Sequence, residues 1–176
     1  MKKIVPFAAL TLLIVGFLLN LHFQKEQEYA KIDSYESCAA AGLPILDSYP
    51  PQCKVPNGKS FTQDIGNELE LHDEVLITSP RPNQKISSPI TIKGKARGSW
   101  FFEASFAGQL FDESNNLIGN VTLEANGDWM TQDFVAFSGK LEFSKPTTKK
   151  GKLYIKNANP SGDPIRDKTL IVPVNF

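Results

Sequence analysis

The chain has 176 residues, 19 Lys and Arg against 19 Asp and Glu, and 41% hydrophobic residues. That length leaves room for one ordinary domain with appendages. No dense Lys/Arg stripe interleaves with aromatic residues, which argues against a nucleic-acid partner. Charge is unevenly spread. Residues 24–74 hold 4 basic and 10 acidic side chains, whereas residues 75–176 hold 13 basic and 9 acidic. The C-terminal part is therefore mildly basic; the ordinary reading is that this only keeps it soluble, and the alternative is a preference for anionic partners such as wall polymers or lipid headgroups.

The first element is an apolar run, Ile4 to Phe23 (IVPFAALTLLIVGFLLNLHF), free of Lys, Arg, Asp and Glu. Twenty helical residues at 1.5 Å each span about 30 Å, the hydrocarbon thickness of a bilayer. Lys2 and Lys3 precede the run, which keeps the N-terminus cytoplasmic and sends the remainder across. Residues 1–23 are thus expected to form a signal anchor, with membrane contact through residues 4–23. The alternative is a cleaved signal peptide, which would leave a secreted protein. The run is longer than an ordinary signal-peptide core, and no small-x-small site closes it. Both readings place the rest of the chain outside the cytoplasm.

Residues 24–33 are polar and mixed in charge and read as a spacer. Residues 34–63 contain the only two cysteines, Cys38 and Cys53. In an exported protein a disulfide between them is the default. Closing a loop of about 15 residues stabilises by roughly 3 kcal/mol on the chain-entropy model. Ser37 to Ala41 suits a helical turn that Gly42 can stop. Pro50-Pro51 stiffens the return, and Asn57-Gly58 signals a turn before Ser60-Phe61-Thr62. A structural zinc site would want four Cys or His ligands, and only His72 is near in sequence. A catalytic cysteine would have that same histidine as its only candidate base. The Tyr-Pro-Pro and Asn-Gly-Lys-Ser-Phe pieces of this segment resemble a short cysteine module of exported bacterial proteins, a resemblance that specifies no activity. Residues 64–74 (DIGNELELHDE) read as an acidic linker.

From Val75 to Phe176 short strands alternate with Gly, Pro, Asn and Asp. Pro89 to Ala96 (PITIKGKA) has period-two alternation. Trp100 to Asp112 (WFFEASFAGQLFD) is read as one strand. Its even positions, Trp100, Phe102, Phe106 and Leu110 among them, point to the core. Its odd positions, Phe101, Glu103 and Phe111 among them, point outward. Leu117 to Glu124 pairs back, Asn126-Gly127-Asp128 turns, and Gly151 to Lys156 and Thr169 to Phe176 supply further strands. Pro173 marks the last as an edge or a bulge. About seven strands at this spacing indicate an all-β, sandwich-like domain over residues 75–176.

The runs SPRPNQKISSPITIKGKARGSWFFEASFAGQLFD, GNVTLEANGDWMTQDFVAF and GKLYIKNANPSGDP resemble the immunoglobulin-like domain of bacterial spore-germination proteins (the Gmad type). That resemblance implies a non-catalytic immunoglobulin-like β-sandwich in an exported or tethered bacterial protein, in contact with envelope components. It defines no ligand, cofactor or site.

No catalytic constellation emerges, since a hydrolytic triad needs nucleophile, base and orienter. Glu103 with Asp128 or Asp133 could form a carboxylate pair, and Asp128 and Asp163 could join a Ca²⁺ site. Such residues in Gly-containing loops are more ordinarily turn residues. No cofactor or metal is expected. The expected binding surface is Phe101, Glu103, Phe111 and Tyr154, three aromatics on the outward face or a late strand together with one acid, beside a basic rim. The leading reading is a tethered scaffold contacting an envelope protein. A wall-polymer or glycan binder is the alternative, and an unrecognised enzyme is disfavoured.

Overall fold

The computed structural model describes residues 7–176, which fall into two compact units, Met1–Gln63 and Asp64–Phe176.

The first unit opens with helix α1, Phe7–Ala30. Among the described residues no helix is long and apolar enough to cross a membrane. Residues 4–6 of the expected span lie outside the described residues. From Phe7 the apolar stretch reaches only Leu19 before Asn20 and His22 interrupt it, and Lys25, Glu26 and Glu28 fill the following turns.

Helix α2, Tyr35–Ala40, starts with a capping box. Ser34 Oγ accepts from Ser37 N at 3.1 Å, and Ser34 N donates to Ser37 Oγ at 3.1 Å. The first orphan N–H groups of the helix are thereby satisfied. Gly42, at φ 68°, ends it as expected. Strands β1 (Ile45–Leu46), β2 (Gln52–Lys54) and β3 (Ser60–Thr62) form a small antiparallel sheet. The turn into β3 runs through Gly58 at φ 91°. The Cys38–Cys53 disulfide joins α2 to β2, and Ile32 and Val55 complete the buried cluster around it.

The second unit is a seven-stranded antiparallel sheet. Its strands are β4 (Val75–Ser79), β5 (Ile90–Arg97), β6 (Ser105–Asp112), β7 (Leu117–Ala125), β8 (Phe134–Leu141), β9 (Lys150–Lys156) and β10 (Thr169–Asn175). Their order is β10-β9-β6-β7-β8-β5-β4. The β7–β8 ladder is confined to two register pairs, Glu124–Ser138 and Ala125–Phe137. Beyond those pairs the chain stays beside β7, with Ser144 N donating to Ile118 O at 2.9 Å, and the sheet closes into two layers across which β6 meets β8. Phe106 meets Phe137 with ring centroids 4.9 Å apart. The inward positions Ile77, Ile92, Leu110, Leu123, Leu153 and Val172 fill the space between the layers.

The layers also close on the other side. After β4, Asn83 N donates to Pro173 O (2.7 Å) and Ile86 N to Asn175 O (2.8 Å), while Asn175 N donates to Gln84 O (3.0 Å). β10 is the edge that Pro173 announces, since proline has no N–H to donate on the side away from β9.

Residues 64–74 are not a linker. Asn67 and Gly66 lie on β10, Ile65 is buried, and Glu68 is 7% exposed. Arg81 Nη1 donates to Glu68 Oε1 at 2.7 Å and to Ile77 O at 2.6 Å. The polar side chains that give this segment a spacer's composition are the groups that bond it to the sheet.

Candidate functional site

Trp100 to Asp112 does not run as one strand. Gly98–Trp100 is a single 3₁₀ turn. Phe102 and Ser105 then exchange two backbone hydrogen bonds of 3.1 Å across Glu103 and Ala104, whose φ values are 49° and 61°. Two consecutive positive φ angles at the centre of a tight turn give the geometry that matches strand twist. The turn breaks the alternation ahead of Ser105. Trp100 and Phe106 are buried as expected, but Phe101 is buried too, at 5% exposure, and packs edge-on to Phe106 at 4.9 Å. Phe102, expected inside, is 46% exposed. Phe101 is thus a floor residue and Phe102 the surface residue.

The expected surface residues are divided. Glu103 sits at the turn tip. Phe111 and Tyr154 lie along β6 and β9, with their rings packed edge-on at 5.4 Å. Ser105 and Phe111 are six residue steps apart along the strand, about 20 Å.

Three loops converge at the Phe102 end. Ser99 and Phe101 line one groove together with Ile165, and a second with Trp129 and Met130; Phe102 lines a third with Ala158. Met130 is 78% exposed and Ile165 is 91% exposed. Both are presented in the same way. Asp128 Oδ1 accepts from Met130 N (3.0 Å), and Asp163 Oδ1 accepts from Ile165 N (3.1 Å). These aspartates are therefore turn-formers, each two residues ahead of an apolar tip. Neither tip carried a sequence signal, since one exposed Met or Ile beside a Gly-Asp pair reads only as loop. The loop end is fastened underneath. Gly98 approaches so closely that a Cβ there would lie 1.9 Å from Thr131 O. Trp100 Nε1 donates to Glu74 Oε2 (3.1 Å), and Lys168 bonds the other carboxylate oxygen. Burial pushes the Glu74 carboxyl up, but the hydrogen bonds from Lys168 and Trp100 outweigh it and hold the group below its ordinary value.

At the opposite end of β6, Asp112 is the hub of a polar knot. Its carboxylate accepts from Thr147 Oγ1 (2.6 Å), Ser114 N and Asn116 N (3.0 Å each), Asn116 Nδ2 (3.1 Å) and Thr147 N (3.3 Å). The Thr147 hydroxyl contributes most, ahead of the opposing desolvation, and the carboxyl is held far below the ordinary aspartate range. Among the described residues no group of His, Cys, Asp and Glu could hold a metal.

This architecture defines an immunoglobulin-like β-sandwich with interloop grooves at one end. The profile of the immunoglobulin-like domain of bacterial spore germination matches residues 74–163, and the chain belongs to that family. No curated protein and no solved structure matches. The match stops before β10, whose Leu170, Val172 and Val174 are part of the buried core.

Proposed function

We propose that the protein is a non-catalytic, extracytoplasmic binding module that docks an envelope protein with the loop end of its sandwich. The supporting observation is that Met130 and Ile165 are exposed beside two grooves that share Ser99 and Phe101, while Phe102 is exposed beside a third. Apolar side chains on rigidly fastened loops gain free energy by being covered, and they lose little conformational freedom in doing so. The family supports an exported setting. For tethering, α1 carries large apolar side chains in the open from Leu10 to Phe23, among them Leu12, Leu13 and Phe17. This stretch, ahead of the polar last turns of the helix, exposes apolar side chains that favour a nonpolar medium. Lys2 and Lys3 ahead of it orient the remainder outward.

Full-length protein in vesicles, cross-linked to envelope extract, tests the docking. The triple variant F102S/M130S/I165S is expected to lose the cross-linked partner with its thermal midpoint kept. Leu117→Ser, an exposed apolar position beyond the far end of β6, is expected to retain it. Equal cross-linking by the triple variant and wild type would overturn the proposal. Protease digestion of the same vesicles reads the orientation: with α1 as tether, residues 64–176 are digestible from the outer side only.

A further inference from the structure

A second surface, on the sheet face and away from the docking loops, has the composition of a ligand site. β9 alternates strictly, so Lys150, Lys152, Tyr154 and Lys156 share the outward face while Gly151, Leu153 and Ile155 are buried. Side chains two residues apart on a strand are about 7 Å apart. A row of ammonium groups with an aromatic ring between them therefore runs along the strand. Across the sheet, Tyr154 is in register with Gln109 on β6 and with Ile171 on β10. Gln109 Nε2 in turn donates to Asn120 Oδ1 on β7 at 3.3 Å. Phe111 packs against the edge of Tyr154, and Phe111, Asn115, Tyr154 and Lys156 line a shallow concavity.

Charge on this face is one-sided. No acid occurs between Phe143 and Gly162, while Lys145, Lys149, Lys150, Lys152 and Lys156 all fall in that stretch. Among the described residues neither Lys152 nor Lys156 is in an ion pair. The one outward carboxylate of β7, Glu124, is opposite Ser105, at the Lys156 end of the face and away from Lys152.

We propose that the β6–β9 face binds an anionic carbohydrate polymer, with the Phe111–Tyr154 pair stacking on a sugar ring and Lys152 and Lys156 meeting acidic groups on either side. Three features act together. The aromatic pair offers a ring face to C–H groups, the Gln109–Asn120 amides offer donors and acceptors to hydroxyls, and the lysines supply the charge. A ligand of charge alone would not use the rings, and a neutral glycan would not use the lysines. The Phe111–Tyr154 pair and Lys152 lie toward the end of β6 away from the docking loops, whereas Lys156 adjoins Ala107 and Asn157 of the third groove.

The test is titration of the full-length protein in neutral vesicles with three probes: polygalacturonate, dextran and polyglutamate. Polygalacturonate is expected to bind with an affinity that falls as salt is added, and dextran is not. K152Q/K156Q is expected to weaken it about tenfold, as two charge contacts of about 0.7 kcal/mol each imply. Tyr154→Ala is expected to weaken polygalacturonate binding but to leave any weak polyglutamate binding unchanged. Both variants alter outward side chains, and the thermal midpoint of each is measured alongside. Polygalacturonate binding that ignores both variants, or that is absent, overturns the proposal. Polyglutamate binding as tight as polygalacturonate, with no effect of Tyr154→Ala, also overturns it. F102S/M130S/I165S is carried through the same titrations and is expected to bind normally, so a failure here is distinguishable from a failure of the loop-end docking.

Discussion

Asn67 pairs with Ile171 as a neighbouring strand would. Its Oδ1 accepts from Ile171 N at 2.7 Å, and its Nδ2 donates to Thr169 O at 2.9 Å. One side-chain amide thus satisfies the carbonyl of one residue and the N–H two residues on, the pattern of a parallel ladder. It also covers an edge that would otherwise be open to other chains.

Asn67→Ala should therefore cost about 1–3 kcal/mol, because it leaves two edge groups unpaired. A urea titration is expected to show a lower midpoint at unchanged slope. Gly66→Ala should be worse. Gly66 is at φ +72°, and a Cβ there would lie 1.8 Å from Ile171 O, so the 64–67 segment has to leave β10. Hydrogen exchange at Ile171 N is the direct readout, with protection expected to fall in both variants.

Phe101 and Phe102 are neighbours with opposite fates. Phe101→Ala removes a buried ring in contact with Phe106 and should cost about 3–5 kcal/mol. Phe102→Ala should stay within about 0.5 kcal/mol of wild type. Thermal unfolding of the two single variants decides this. Equal losses would place both rings in the core.

Acid should weaken the second unit through Asp112 and Glu74. Both carboxyls are held below their ordinary values in the folded state. Their contribution is complete above the unfolded-state values near pH 4 and fades as pH falls from there toward the folded-state values. Asp112→Asn places an amide NH₂ among groups that are all donors. It is expected to lower the midpoint at neutral pH and to flatten the acid limb, measured as midpoint against pH from about 7 down to 3.

Reduction of the Cys38–Cys53 bond, with its separation of 15 residues, should remove roughly 3 kcal/mol from the first unit. C38S/C53S is expected to raise amide exchange throughout residues 34–63.

What the sequence disclosed follows from how each contact is encoded. Alternation exposes the register of β5, and of β6 from Ser105 onward, because one face of each strand is buried. The Gly42 stop, the Asn57-Gly58 turn and the disulfide rest on local chemistry or on residue identity. The turn at Glu103-Ala104 was hidden because neither residue is a usual choice for positive φ, and one unseen turn exchanged the roles of Phe101 and Phe102. Residues 64–74 were misread for a different reason. Their partners, Thr169, Ile171 and Arg81, lie as far as 104 positions along the chain, and no local pattern reports a bond of that span. The loop tips Met130 and Ile165 were likewise invisible, since their meaning comes from convergence in space.

The distribution of core residues bears on how the family's domain should be delimited. A fragment cut at residues 74 and 163 would discard Leu170, Val172 and Val174 from the interior and Asn67 from the rim. It would leave β9 as a raw border with its Ile155 and Leu153 uncovered, a template for sticking to its own copies. The compact unit runs from Asp64 to Phe176, so the matched segment is shorter than that unit at both ends.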